Sequence, residues 1–259
     1  MKKNKEIFEL LELKYHQFNH ISFIENDPIS IPHRFGKKED IELSAFFAST
    51  LAWGQRITII KNSEKLISWM DNSPHDFILN HTKKDLQKFG KFCHRTFNGQ
   101  DCLFFIKRLA LLYKKYGGLE KSFSIGLRTE SETIENGIIN FRKEFFGNEK
   151  NNRSFKHVSN PEKNSSSKRI CMFLRWMVRH DKNGCDFGIW KKIKPSQLCL
   201  PLDVHTGNSA RKLGLLKRNQ NDWKAVIEIT DELKKFDPDD PVKYDFALFG
   251  MGVNGELIK

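Results

Sequence analysis

The sequence has no run of about 18 apolar residues, the length a helix needs to cross a bilayer, so no membrane-spanning helix is expected. It also lacks any C-x-x-C pair. Cys93, Cys102, Cys171, Cys185 and Cys199 are odd in number and widely spaced, which supplies no zinc or iron–sulfur ligand set and fits reduced thiols in a cytoplasm. No metal and no cofactor is expected. No segment sustains the apolar–polar alternation of β-branched residues that an extensive sheet requires, and neither an internal repeat nor a low-complexity tract is visible. Acid is scarce relative to base: 32 Asp+Glu stand against 44 Lys+Arg, a net charge of +12 and a pI of about 9.4. Such an excess points to a polyanionic partner, nucleic acid before an anionic membrane surface.

What is present is amphipathic helix. The 259 residues can bury roughly 70–75% of their unfolded surface, so folding needs no disulfide or structural metal. Glu6, Glu9 and Glu12 interrupt the first apolar residues, giving an amphipathic helix rather than a signal peptide. Leu43, Phe46, Phe47 and Leu51 mark a helix opened by Glu39 and Asp40, and Ile59, Ile60, Leu66, Ile67 and Met70 mark the next. A third begins at Asp101 and stops at Gly117-Gly118, and a fourth holds Ile134, Ile138, Phe141 and Phe145 and ends at Gly147. Ile170, Phe173, Leu174, Met177 and Val178 form the clearest helical stripe. Val226, Ile229, Leu233 and Phe236 follow, and Asp240-Pro241 opens the last helix. The expected fold class is all-α, with eight to ten helices, and the Asn/Ser-rich stretch 147–167 reads as a functional loop.

The positive charge is concentrated. Residues 163–194 carry nine bases against two acids, +7 in 32 residues, whereas eight bases balance eight acids between Asp203 and Lys243. Lys163 and Arg169 in this basic stretch are candidate phosphate contacts.

Two places carry chemistry-bearing residues. Ser165-Ser166-Ser167 leads into Lys168 and Arg169, which puts Lys168 in a first helical turn among free N–H groups, where a cation is misplaced for helix stability. Leu200-Pro201-Leu202 delivers Asp203 to the start of a short helix closed by Gly214. Spacing alone leaves Asp203 open to being an ordinary N-cap and Lys168 a solvated lysine.

The segment Pro201-Leu202-Asp203-Val204-His205-Thr206, followed by Ala210-Arg211-Lys212-Leu213-Gly214, resembles the "V-D-T-H-V…R…L-G" motif of the helix-hairpin-helix DNA glycosylase superfamily, whose aspartate is the catalytic carboxylate. Ser167-Lys168-Arg169-Ile170 is similar to the hairpin-to-helix junction carrying the Schiff-base lysine of its bifunctional members. The 35-residue separation of Lys168 from Asp203 resembles the archaeal 8-oxoguanine glycosylase branch more than endonuclease III. The segment from Leu43 to Gln55 is similar to the early "L…L-L-S-x-Q" helix, and His94-Arg95-Thr96-Phe97-Asn98 resembles the wedge loop. Residues 40–255 are covered. The "H-R-T-F" and "K-R-x-x-x-F-L-R-W-M-V-R" signatures are also similar to those of a bacterial family of unassigned function. Two departures stand out: the hairpin glycines are replaced by Asn164-Ser165-Ser166-Ser167, and the C-terminal iron–sulfur cysteines are absent.

The resemblance implies a two-lobed, all-α glycosylase unit spanning residues 1–259. One lobe would be 43–180 and the other 1–42 plus 181–259, with Lys168 and Asp203 facing across the cleft. It implies a DNA glycosylase with AP lyase activity that removes an oxidised, 8-oxoguanine-like base through a lysine Schiff base assisted by Asp203. Gln55 and Arg95, Thr96, Phe97 and Asn98 would fill the gap left by the extruded base, His205 and Arg211 would contact DNA, and Trp53 and Trp176 would line the base pocket. The expected partner is duplex DNA with a damaged base, met by a monomer in the cytoplasm at the nucleoid and away from membranes. The alternative is a non-catalytic duplex-binding protein on the same fold; charge alone would also admit RNA.

Overall fold

The 3.6-residue periodicity becomes helix almost everywhere in the structure, a computed structural model that describes residues 2–127 and 133–256. The helices are α1 (Lys2–Phe18), α2 (Ser22–Glu25), α3 (Lys38–Leu51), α4 (Arg56–Ser68), α5 (Pro74–Asn80), α6 (Gly99–Tyr116), α7 (Leu119–Ser124) and α8 (Glu135–Phe146). They continue with α9 (Lys168–Val178), α10 (Val204–Leu213), α11 (Trp223–Lys234) and α12 (Asp245–Val253). Short 3-10 turns link several of them, and one two-stranded hairpin, β1 (Cys93–His94) and β2 (Phe97–Asn98), precedes α6. The protein is thus predominantly helical, with twelve α-helices among the described residues where eight to ten were expected. The extra ones include α2, α5 and α7, of 4, 7 and 6 residues, too short for a periodic stripe to register.

The predicted stops are real. Gly117 closes α6 at φ 75°, Gly147 follows α8 at φ 57° and Gly214 closes α10 at φ 77°. Asp240-Pro241 opens a 3-10 turn, Pro241–Tyr244, and the α-helix proper starts at Asp245.

The chain forms two compact units. The first comprises the described residues of Met1–Phe23, Arg128–Glu135 and Asn160–Lys259; the second is Ile24–Leu127 with Asn136–Ser159. These are not the expected boundaries. Residues 24–42 join the unit expected to span 43–180, and residues 133–135 and 160–180 join the one expected to hold 1–42 and 181–259. The cause is α9. Its apolar stripe is buried, and so are Cys171, Met172, Arg175 and Trp176 on its other faces, so it is a central helix of the first unit rather than an amphipathic edge.

In the first unit α12 packs against both α1 and α10. Gly252 permits the second contact, because a Cβ there would lie 2.7 Å from the carbonyl oxygen of His205. In the second unit α3 packs on α4 and α5, α5 on α6, and Phe46, Phe105, Phe141 and Phe145 pack ring against ring. The stretch expected to be one irregular loop is mostly capped turns. Asn152 and Asn160 accept the backbone N–H groups of Ser154 and Glu162 at the starts of two 3-10 turns, and Asn164 binds Asp222. Asn152 and Asn160 read as loop composition, but they act as caps.

Candidate functional site

The first unit brings Lys168 and Asp203 together. Ser167, at φ 49°, turns the chain into α9, and Lys168 is the first helical residue. Asn164, at φ 57°, is left-handed as well. Serine and asparagine therefore adopt, at this junction, the backbone region that glycine ordinarily occupies; asparagine tolerates it, and serine is held there at a cost of about 1 kcal/mol or more.

Asp203 is the N-cap of α10. Its Oδ1 accepts the Thr206 N–H at 2.9 Å, and its carbonyl accepts the Gly207 N–H at 2.9 Å and the Asn221 Nδ2–H at 3.0 Å. The cap bond fixes the carboxylate plane and leaves Oδ2 3.7 Å from Lys168 Nζ. That separation is an ion pair without a hydrogen bond, so the amine is near the carboxylate but not locked to it. The side chains are 29% and 21% exposed, open enough for a substrate to reach both. Both residues belong to one compact unit, not to two lobes.

Arg211 supports this arrangement from behind. Its Nη2 donates to Asn221 Oδ1 at 2.5 Å and its Nε to the Arg218 carbonyl at 2.8 Å, while Asn221 donates to the Asp203 carbonyl. The guanidinium expected to contact DNA is therefore committed to holding the loop that positions Asp203. His205 is exposed, with its ring edge toward Phe249 at 6.2 Å.

Beneath the pair lies a buried ionic cluster that sequence reasoning missed. Arg175 stands seven residues after Lys168, on the same face of α9. Its Nη1 meets Asp245 Oδ2 at 2.5 Å and its Nε meets Asp186 Oδ1 at 3.3 Å. Arg179 binds Asp186 at 3.1 Å, Asp181 at 2.5 Å, Asp240 at 2.8 Å and the Tyr15 hydroxyl at 2.7 Å. Burial opposes the Arg179 charge, but its carboxylate partners and Tyr15 hold it more firmly protonated than a free arginine. Asp245 Oδ1 lies 3.5 Å from the hydroxyl of Thr206, the residue whose N–H is capped by Asp203. Burial pushes the Asp245 carboxyl up to about 6; Arg175 pulls it down, Asp203 raises it and Lys168 lowers it. This carboxyl therefore feels the charges of both candidate residues. The signal available in the sequence was two arginines at i and i+4 within an apolar helix, a place where unpaired charge is prohibitive.

The cluster changes the reading of the basic stretch. Arg175 and Arg179 are buried and paired with Asp181, Asp186, Asp240 and Asp245, so they contribute nothing to a phosphate-binding edge. Lys163, Lys182, Lys191, Lys192 and Lys194 are exposed, and Arg169 is partly so.

The second unit holds Gln55, Trp53 and the expected wedge residues Arg95, Thr96, Phe97 and Asn98. Gln55 is exposed at the start of α4 and makes no side-chain cap bond. Arg95 and Thr96 form the exposed tip of the β1–β2 hairpin, with Arg95 at φ 55°. The Arg95 guanidinium lies over the Trp53 ring, 4.2 Å from its centroid. Gly54 makes room for it, since a Cβ there would sit 2.8 Å from Arg95 Nη1. Trp53 thus has one face already covered.

Three expectations fail here. Phe97 is wholly buried among Phe92, Phe105 and His157, so it cannot enter a duplex. Asn98 is the N-cap of α6 in a capping box with Asp101 and also receives Arg153, so its amide oxygen is a structural acceptor. Trp176 is wholly buried in the first unit and shows no surface to a base. Phe97 and Asn98 lie beside an exposed tip but are drawn into the core and the helix end; Trp176 is drawn into the core from the middle of α9.

Phe97→Ala is expected to lower stability by ~3–5 kcal/mol, as for other buried phenylalanines. Arg95→Gly keeps the left-handed turn and should leave the melting temperature within a few degrees of wild type. Chemical denaturation of both variants checks this; equal losses would place Arg95, not only Phe97, in the fold.

The family model for DUF2400, described as a protein of unknown function, matches residues 27–254, and the chain belongs to that family. No curated protein matches the chain, and no solved structure matches it.

Proposed function

We propose that this DUF2400 protein is a DNA glycosylase with AP lyase activity on a helix-hairpin-helix glycosylase fold, acting on an oxidised base of the 8-oxoguanine type in duplex DNA. The observation that supports it is the 3.7 Å approach of Lys168 Nζ to Asp203 Oδ2, since these are the two residues that the superfamily resemblance pairs, 35 positions apart in the sequence.

The chemistry uses Lys168 once and Asp203 twice. As the bond between base and C1′ stretches, positive charge develops on the sugar and the Asp203 carboxylate stabilises it. The Lys168 ammonium first gives up one proton to water; the neutral amine then attacks C1′, the base departs with the bonding electron pair, and the proton released by the new C1′–N bond passes through Asp203 Oδ2 to the departing base. Ring opening gives an imine between Nζ and C1′. Loss of a C2′ proton then expels the 3′ phosphate oxygen and nicks the strand.

The experiment is a panel of duplexes, each with one lesion, incubated with the protein and borohydride. A covalent complex on an oxidised-base duplex is the expected result. One observation favours the second reading, a non-catalytic duplex binder: Arg95 covers one face of Trp53 and Trp176 is wholly buried, so of the two aromatics expected to hold the extruded base one is lost and the other is half covered. A panel in which no lesion is trapped or released would establish that reading instead.

Both readings need duplex binding. With about four phosphates contacted by the exposed lysines of residues 163–194, log K should fall with log salt at a slope of about −3.5. A flat titration from low to physiological salt would remove DNA as the partner.

A further inference from the structure

The second unit carries a groove that the proposed chemistry does not use. Helix α6 buries Phe105, Ile106, Leu109 and Leu112, but Leu103, Lys107, Ala110, Leu111 and Lys114 recur at helical spacing along another face. A groove of about 630 Å³ runs along that face, with Ile78 and Leu79 of α5 and Leu86 of the following 3-10 turn completing its apolar floor. Leu111, in that lining, is 44% exposed. Lys83, Lys107 and Lys114 stand around the floor; no carboxylate lines the groove, and none of the three lysines forms an ion pair among the described residues. His81 and Gln87 are the other polar residues of the lining.

We infer that this groove docks an acidic amphipathic helix of a partner protein. The floor calls for apolar anchors repeated every three to four residues, as in other helix-in-groove contacts. The rim calls for carboxylates. Lys107 and Lys114 lie two turns apart, about 10 Å along the helix axis, so glutamates or aspartates seven residues apart on a partner helix match them. A nucleic acid would satisfy the lysines but leave the leucine floor in water, because phosphate recognition is carried by polar donors. The mostly apolar lining therefore favours the acidic helix over a polyanion.

The test uses the full-length protein and a fluorescein-labelled 16-residue helical peptide with leucines at three-to-four spacing and glutamates two turns apart at the edge of that stripe. Fluorescence anisotropy should show binding that weakens at least tenfold in Lys107→Glu/Lys114→Glu and at least tenfold in Leu111→Ser. Replacing the peptide's glutamates by lysines should abolish it. All altered side chains are exposed, and circular dichroism melts confirm that the variants fold. Absence of binding by the wild type, equal binding by the variants, or equal binding of the lysine peptide would overturn the proposal. So would a short duplex DNA or a phosphatidylserine vesicle that binds the wild type more tightly than the peptide does and loses that affinity in the same variants.

Discussion

Lys168→Gln will abolish borohydride trapping and strand nicking while lesion binding and the fold survive. Glutamine keeps the length of the side chain's inner portion and its place at the start of α9, but its amide nitrogen cannot form an imine. Removing a cation from a first helical turn should not weaken the helix, so any loss is chemical. Some base release can persist if water replaces the amine. Asp203→Asn should behave differently. Asparagine can still accept the Thr206 N–H and cap α10, so stability should change by no more than about 1 kcal/mol. Excision should slow by ~10²–10³, the loss typical of one electrostatic stabiliser. Single-turnover gel assays with parallel thermal melts separate the two. If Lys168→Gln traps as well as wild type, the nucleophile lies elsewhere and the 3.7 Å pair is only a surface ion pair.

Arg175→Met should lower stability at pH 7 by ~3–5 kcal/mol, because it leaves Asp245 and Asp186 buried with a counter-charge removed. That is a large share of the 5–15 kcal/mol that typically separates folded from unfolded. The pH dependence identifies the cause. In the folded protein Asp245 titrates at about 6, above the 3.8 of an ordinary aspartate. A carboxyl raised on folding binds more protons in the native state, so its contribution is fully present below about pH 4 and is lost as pH rises through about 6. Without Arg175 the native value rises further, and protonation offsets the missing guanidinium at lower pH. The part of the deficit due to Asp245 should therefore be greatest above the variant's raised value, shrink as pH falls toward about 6, and be small by pH 5. Urea denaturation at pH 5 and pH 7.5 measures it; a deficit independent of pH would mean that lost packing against Phe246, 4.3 Å from the guanidinium, dominates instead.

The sequence by itself determined the helices and their ends. Apolar spacing at 3.6 residues and stop glycines at 117, 147 and 214 are local signals, and local hydrogen bonding is enough to realise them. It also singled out Lys168 and Asp203, through motif residues held in short segments. Tertiary structure decided the rest. Whether Arg175 and Arg179 face solvent or four aspartates depends on where residues 181, 186, 240 and 245 return in space, and a charge count along the chain cannot distinguish them. Phe97 and Arg95 are two residues apart in one hairpin, yet one is core and the other is tip, because side chains in extended and turn segments diverge according to what packs beneath them. The separation of Lys168 from Asp203 was likewise set by packing: α9 is buried nearly all round, which draws its first residue into the same unit as α10 and brings an amine and a carboxylate 35 residues apart to 3.7 Å.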